Sequence, residues 1–297
     1  MPTTGYTEIG YGGGVTVLVG RERGAYPYAH SVLVRGAAET LVIDPSLSLV
    51  GAAPPADVVL VSHAHEDHMA ALGDYEAPVH AHVRDLAAVR SRAVMVEGYG
   101  LPQEAAEHTD VMLRDRFRIQ DRPEATGFED GTVFDLGGRT VTVVHLPGHT
   151  AGHCGFLIEP DGFLHVADID LTSFGPYYGD VGSSLTDFEA SMRRCADVEA
   201  RWYGTAHQKG VVEGAAAFAE RLDAFAGVMA ARDETLLAFL TEPRAVEEIA
   251  RRRLVYRAHV EGPHVLPVER RTAVRHLDRL VGAGRVAEVE PGRFRAV

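Results

Sequence analysis

Short runs of β-branched and apolar residues, broken by glycine and proline, dominate the first half of the chain. Val15–Val19, Ser31–Val34, Thr40–Ile43 and Val58–Val61 read as strands. The last is apolar on both faces, the pattern of a strand buried at the centre of a sheet. It runs straight into Ser62-His63-Ala64-His65-Glu66-Asp67-His68, after which Met69–Leu72 begins a helix. A strand over Val79–His82 and a helix over Asp85–Arg90 follow. Residues 91–129 change character: Arg92–Gly100 and Pro102–Ile119 are polar, charged and helical in pattern, and either cover an active site or form a solvated insertion. Strands resume at Thr132–Asp135 and Thr140–Leu146, joined through Gly137-Gly138, a hairpin signal. Gly155–Ile158 and Gly162–Val166 flank a turn at Pro160-Asp161. A helix fits Leu185–Ala200, and the short segment Trp202–Ala206 ends at His207.

Strands, then helix, then strands again predict two sheets with helices outside, an α/β fold. From about Gly214 the pattern is helical throughout: Ala215–Leu240, a helix opened by Pro243 and running to Leu254, and a third opened by Pro267 and running to Val281. Gly284–Val297 alternates as a hairpin about Pro291-Gly292. Helix, helix, helix, hairpin is the order of a winged helix. The chain therefore divides into residues 1–213, large enough for a catalytic domain, and residues 214–297, a helical linker with a winged-helix-like C-terminal domain.

Composition narrows the function. The 297 residues are 46% hydrophobic and 24% charged, which marks a globular chain. No apolar run reaches the roughly 18–20 residues of a membrane span, and Met1–Gly14 lacks the basic-then-apolar order of a secretory signal. The two cysteines, Cys154 and Cys195, make no disulfide framework and point to a reducing cytoplasm. The net charge of −13 is not one property. Residues 241–297 hold 12 arginines against 8 acidic residues, a net of +4, which leaves −17 on the rest. That balance argues against broad nucleic-acid binding. Only Arg251-Arg252-Arg253 and Arg270-Arg271 invite it, and their alternation with Glu247, Glu248 and Glu269 favours solvated helices with internal ion pairs. Removing 241–297 is expected to harm solubility more than the chemistry of the body.

The 15 histidines need an explanation. His63, His65, Asp67 and His68 fall within six residues at the end of a buried strand. In an extended segment His63 and His65 point to one side, while Asp67 and His68 lie where the chain turns into a helix. One pair suits one metal and the other pair a second, in a donor set of imidazole and carboxylate that accepts zinc, iron or manganese. Leu146-Pro147-Gly148-His149-Thr150-Ala151-Gly152-His153 again ends a strand in a glycine-rich turn, where glycine lets the backbone approach closely. Asp168 closes the apolar run Phe163–Ala167, and Asp170 competes with it as a carboxylate on the same strand face. His207 follows Tyr203–Ala206. Together these supply five imidazoles and two carboxylates.

The order H-A-H-E-D-H, P-G-H-T-A-G-H, V-A-D and A-H resembles the metallo-β-lactamase superfamily over roughly residues 10–210, and Leu41-Val42-Ile43-Asp44-Pro45 matches the strand-ending aspartate of that family. The resemblance implies an αββα sandwich with a dinuclear site at one edge, two divalent ions with Zn2+ first and Fe or Mn as alternatives, His63, His65 and His149 on one, Asp67, His68 and His207 on the other, and Asp168 bridging. It implies that Asp44 orients a ligand, the alternative being a cap on the turn before Pro45, that His153 supports the metal loop, the alternative being a satisfied structural histidine, and that Asp67 handles the proton of a metal-bridging hydroxide attacking a carbonyl. Tyr177, in Phe174–Gly179, is placed as a donor to the substrate oxyanion, with ordinary packing as the other reading. Cys154 is read as a buried small residue, Arg116, Arg118 and Arg122 as a solvated face, and His80 and His82 are left without a role.

β-Lactamases of this fold usually have Cys or Ser where this chain has Asp168, and the flavodiiron relatives have Glu at the His65 position. The expected activity is therefore a metal-dependent hydrolase of a small-molecule ester, thioester or lactone, as in the hydroxyacylglutathione hydrolase, lactonase and thioesterase branches. An endoribonuclease or phosphodiesterase and an iron-dependent sulfur dioxygenase are the alternatives. The resemblance also allows a homodimer, with the appendage on the body or on a neighbouring subunit.

Overall fold

The computed structural model describes residues 5–297; of the expectations above, the absence of a leader in Met1–Gly14 and the domain start at residue 1 fall in part outside the described residues. The first sheet holds β1 (Tyr6–Tyr11), β2 (Val15–Gly20), β3 (Ser31–Arg35), β4 (Thr40–Ile43), β5 (Val58–Val61), β6 (Val79–His82) and β7 (Thr126–Phe128), in that spatial order. The second holds β8 (Val133–Asp135), β9 (Thr140–His145), β10 (Cys154–Glu159), β11 (Phe163–Ala167), β12 (Trp202–Thr205) and β13 (Val211–Glu213) in the order β13-β12-β11-β10-β9-β8. A short turn, α1 (Arg21–Gly24), follows β2. One-turn α2 (Glu66–Met69) follows β5, and α3 (Leu86–Arg90), α4 (Arg92–Gly98) and α5 (Gln103–Asp115) lie between β6 and β7. Helix α6 (Leu185–Ala196) precedes β12, and α7 (Ala215–Phe239) leaves the body.

Strict alternation explains why the strands are apolar on both faces. Val32, Val34, Leu41, Ile43 and Leu60 meet Val141, Val143, Phe156, Ile158 and Phe163 of the other sheet. Their neighbours Leu33, Val42, Val59 and Val61 face the opposite way, against Met95, Leu113 and Phe117 of the α4–α5 segment. Leu164, Val166 and Tyr203 face Phe188, Phe218 and Phe225 of α6 and α7. The layers are helix, sheet, sheet, helix, the αββα arrangement of the metallo-β-lactamase fold. The 91–129 segment is thus core-forming on its inner side, not a solvated insertion.

Beyond α7 come β14 (Arg244–Ala245), α8 (Val246–Arg252), α9 (Val265–Gly282), β15 (Val286–Glu290) and β16 (Arg293–Ala296), with strand order β14-β16-β15. Leu236, Leu240, Ile249, Leu277, Leu280 and Val286 form a core of their own there. Among the described residues no helix is long and apolar enough to cross a membrane.

Among the boundaries that differ from the sequence expectation, four have a plain local reason. The helix after β5 starts at Glu66, not Met69, because His65 is already its extended N-cap residue. Helix α6 ends at Ala196, where the Asp197 N–H turns back to Arg194 and Cys195. Arg244–Ala245 pairs with β16, so α8 starts after Pro243 rather than at it. Pro267 sits inside the first turn of α9, where its missing N–H costs nothing. Strand β1 was not legible because most of its residues are exposed and carry no apolar alternation.

One geometric fact positions the site. β4 and β5 are parallel, as are β11 and β12, and two antiparallel steps from β11 through β10 make β9 run with them. The C-terminal ends of the strands that precede each chemical motif therefore open at one edge, where the Cys154 N–H donates to the Ser62 carbonyl across the sheets.

Candidate metal centre

Five imidazoles converge at this edge, and the outer nitrogen of each has a hydrogen-bond partner. The Ser62 hydroxyl donates to Asp44 at 2.7 Å, so it accepts from His63 Nδ1–H at 3.0 Å. His149 Nδ1–H donates to the Tyr177 carbonyl at 3.0 Å. Asp180 accepts from His65 Nε2–H at 2.6 Å. Asp44 accepts from His68 Nδ1–H at 3.0 Å, and the Gly24 carbonyl from His207 Nδ1–H at 2.8 Å. These partners turn the remaining nitrogens inward. His63 Nε2, His65 Nδ1 and His149 Nε2 lie 2.9–3.2 Å from one another.

Asp168 stands between two groups of donors. Its Oδ2 is 3.3 Å from His149 Nε2 and 4.0 Å from His63 Nε2. Its Oδ1 is 3.1 Å from His68 Nε2 and 3.5 Å from His207 Nε2. Asp67 Oδ2 is 3.3 Å from His207 Nε2. The two sets that can each hold an ion are His63, His65, His149 and Asp168, and Asp67, His68 and His207. Asp170 is in neither; its carboxylate accepts from the Thr172 N–H.

The donor chemistry fits divalent cations. Lone pairs crowded this closely need positive charge between them, and buried His68 Nε2 and Asp168 Oδ1 have no hydrogen-bond partner. Among the protein's own groups only protons answer that need. Against its burial, Asp168 and Asp67 hold His207 up to about 9, and Asp180 holds His65 up to about 9 in the same way. Burial prevails at His149, pushed down to about 3.

The surrounding chain builds the frame. Asp44, fully buried and left-handed at φ 53°, accepts from the Ser62 N–H, the Ser62 hydroxyl and His68 together. Its carboxylate thereby holds the His68 ring and the start of the Ser62–His68 segment. His153 Nδ1–H donates to the Leu146 carbonyl at 2.9 Å, and its Nε2 accepts the Asp168 N–H at 3.1 Å, which fixes the backbone that presents Asp168. The two loop glycines serve packing more than close approach to an ion: a Cβ at Gly148 would lie 2.3 Å from the Phe188 nitrogen, and one at Gly152 would strike Asp85.

Three contributors carried no signal in the sequence. Asp85 sits where a helix cap belongs, yet its carboxylate accepts from the Ala64 N–H, the Thr150 hydroxyl and the Gly152 N–H, tying the two histidine loops together. Asp180 stands 115 residues from the His65 it orients. Tyr99 stacks on His65, with its hydroxyl on Glu66. Tyr177 differs from expectation: its hydroxyl donates to Asp180 at 3.1 Å, so that proton is committed and not free for an oxyanion. The remaining candidates are structural. Arg122 donates to the Leu72 and Tyr75 carbonyls, Arg118 is 3.8 Å from Asp74, and Arg116 lies over Phe117. His82 stacks on His145 and His80 bonds Thr126. Burial pushes the Cys154 thiol well up, away from a thiolate.

Asp44→Ala strands three buried donors at once. Its unfolding free energy is expected to fall by roughly 3–5 kcal/mol, read from urea unfolding midpoints; a loss below about 1 kcal/mol would mean that the Ser62 and His68 donors find other partners.

The sequence pattern of the family described as Metallo-beta-lactamase superfamily matches residues 27–207. The chain is 29% identical over 136 residues to Hydroxyacylglutathione hydrolase GloC of Haemophilus influenzae, a match covering 44% of this chain and 54% of that protein. In fold it is similar to a metallo-beta-lactamase family protein of Thermus thermophilus, with TM-score 0.72 and 24% identity over 96% of this chain and 99% of that one. It is similar also to a Beta-lactamase domain protein of Burkholderia ambifaria, with TM-score 0.74 and 18% identity over 100% of this chain and 96% of that one. Both of those likenesses extend through the region beyond α7.

Proposed function

The chain belongs to the metallo-beta-lactamase superfamily, and from that premise we propose that it is a dinuclear metal-dependent hydrolase of ester, thioester or lactone carbonyls. One observation carries the reading: the two oxygens of Asp168 face different ligand sets, Oδ2 toward His149 and Oδ1 toward His68 and His207. His63, His65 and His149 would hold one ion and Asp67, His68 and His207 the other, with Asp168 placed to serve both sets. Zn2+ suits this set best, with Fe or Mn as alternatives. A pair of divalent cations there supplies a water acidic enough to ionise near neutral pH and polarises the scissile carbonyl.

The chain's own groups do the rest. Asp67 Oδ2, at the face shared with His207, takes the proton of the attacking water and returns it to the leaving group. Asp44, Asp180 and the Tyr177 carbonyl hold the ligand rings in one tautomer each, which fixes donor geometry before substrate arrives. Tyr177 acts as a wall and a support for Asp180, in place of the oxyanion donor expected from the sequence.

Residues 214–297 form the helical linker and winged-helix-like unit of this reading, and 5–213 the catalytic body. The buried, unpaired Cys154 and Cys195 fit a cytoplasmic protein. The nuclease alternative loses its main support because several arginines that invited it are engaged internally. Arg253 and Arg271 donate to backbone carbonyls, and Arg270 pairs with Glu247.

The test is an activity screen of metal-loaded protein against thioesters, lactones, phosphodiesters and a β-lactam, with metal analysis of the same sample. Two metal equivalents and turnover of a carbonyl ester class are expected. One iron per chain with oxygen uptake overturns the reading in favour of a dioxygenase. Phosphodiester cleavage with salt-dependent RNA affinity overturns it in favour of a nuclease.

A further inference from the structure

The outer nitrogen of the His149 ring donates to the Tyr177 carbonyl at 3.0 Å. That carbonyl lies in the peptide plane that Tyr177 shares with Tyr178, so whatever fixes the backbone of Tyr178 also aims the acceptor. The Tyr178 side chain is buried. Its ring stands edge-on to Phe188, which packs in turn against the His149 ring.

The Tyr178 hydroxyl ends a buried polar chain that begins in the C-terminal helices. His276 of α9 is fully buried, and burial lowers its pKa, so the ring is neutral. Its Nδ1–H donates to Asp233 of α7 at 2.6 Å, which leaves Nε2 to accept the Tyr178 O–H at 2.8 Å. The same hydroxyl accepts from Arg232 of α7 at 2.9 Å. That guanidinium also donates to the Pro176 carbonyl at 2.6 Å and the Phe174 carbonyl at 2.9 Å. Arg279 closes the far end of the chain between Asp233 and Glu189. The peptide plane before Tyr177 is thus held at the Pro176 carbonyl, and the plane after it leads into a side chain locked at its hydroxyl. Apolar residues of the same shape would bind the helices together about as well, so the polar chain supplies direction more than adhesion.

We infer that Tyr178 is a positioning residue of the metal centre: locked by His276 and Arg232, it sets the plane of the Tyr177 carbonyl and, through it, the tautomer and orientation of the His149 ring. This role rests on the metal centre of the reading above and not on its substrate class. It is separate from the hold of Arg275 on Asp180, which bears on His65. An imidazole whose outer N–H is firmly held offers its other nitrogen at one angle and is the better donor to a cation.

Tyr178→Phe keeps the ring and removes only the hydroxyl. In zinc-loaded full-length protein carrying isotope-labelled histidine, magnetic resonance reads the outer N–H of each ligand ring. Solvent exchange of the His149 ring N–H is expected to quicken about tenfold or more in this variant, while that of the His68 ring N–H, held by Asp44, stays as in the parent. Zinc affinity in chelator competition is expected to fall about fivefold or more. Tyr203→Phe removes an equally buried phenol, bound to the Val198 carbonyl and the Ala200 N–H, and should alter neither quantity, whatever it does to the melting temperature. Arg232→Gln frees the Phe174 and Pro176 carbonyls and should quicken the same exchange; it decides the matter if Tyr178→Phe does not fold. A lower melting temperature with unchanged His149 exchange and zinc affinity makes Tyr178 a packing residue and overturns the inference. So does a change shared equally by the His68 N–H or reproduced by Tyr203→Phe. The hydrolase reading fails separately, if these effects appear and the zinc-loaded parent turns over no ester, thioester or lactone.

Discussion

Asp168→Ala is expected to abolish turnover and to bring the metal content below two equivalents. Among the described residues no other carboxylate presents one oxygen to each ligand set: Oδ2 lies 3.3 Å from His149 Nε2 and Oδ1 3.1 Å from His68 Nε2. Its loss leaves one set with three imidazoles and the other with Asp67 and two imidazoles, and it removes the charge that offsets two cations. The fall in kcat/KM should be at least about 10^3, equivalent to roughly 4 kcal/mol of barrier, because both the acidity of the nucleophile and its placement depend on the pair of ions. Asp170→Ala is the control. That carboxyl is pushed up to about 6, chiefly by burial, and its hydrogen bond goes to the Thr172 N–H. It should retain both metals and most activity. Metal analysis beside steady-state kinetics decides the matter: an Asp168→Ala protein with two ions and full turnover would mean that the wrong aspartate has been assigned the bridge.

The choice between Asp168 and Asp170 shows where sequence reasoning reaches its limit. Both lie on one strand face by alternation, so periodicity leaves them equivalent. What separates them is the left-handed Ala167, at φ 46°, which turns the chain just before Asp168, and the ring of His153, which captures its N–H. Neither is visible in a pattern of residue types. By contrast the histidines were legible because their spacing is local. His63 and His65 are two apart on an extended segment, and His68 follows on the first helical turn.

Contacts made at long sequence separation left no such mark. Asp85 looks like a helix cap and Asp180 like a turn residue, and only the meeting of loops far apart in the chain turns them into supports for the histidine loops and the His65 ring. The arginines of the appendage reversed in meaning for the same reason. Arg271 read as a surface cation with an acidic neighbour, whereas its guanidinium lies against the carbonyls of Tyr99, Gly100 and Gly179. The fold itself was legible nearly throughout, since strands covered on both faces must be apolar on both. The short strands β7, β13 and β14 were missed, two or three residues each being too few for a period, and so was β1, an edge strand whose partner on one side supplies hydrogen bonds but little burial.

The double substitution Arg271→Ala, Arg275→Ala tests whether the C-terminal unit is needed by the centre. Five carbonyls of the Tyr99–Gly100 and Tyr178–Asp180 segments lose their charged donors together. Bonds to charged groups contribute about 1.5–3 kcal/mol each at best, and partial exposure discounts them, so the loss should be on the order of 4 kcal/mol. Against a net stability of roughly 5–15 kcal/mol the protein remains folded, with a melting temperature lower by about 10 °C. The second effect is the more telling. Asp180 is held from one side by Arg275 at its carbonyl and from the other by Tyr177 at its carboxylate, and it accepts the His65 Nε2–H that fixes that ring's tautomer. Once that segment loosens, the affinity of the His63, His65 and His149 set for metal should drop at least about tenfold, measured by competition with a chelator. Arg251→Ala, Arg252→Ala removes as much positive charge from residues without an ion-pair partner among the described residues and should change neither stability nor metal affinity. Unfolding curves that shift with no change in chelator competition would reduce the appendage to a packing role. Equal effects from both double variants would trace the result to net charge and remove the case for a specific clamp. Removal of residues 241–297 takes away the same donors, so metal loss is expected alongside the exposure of apolar helix faces, and not solubility alone.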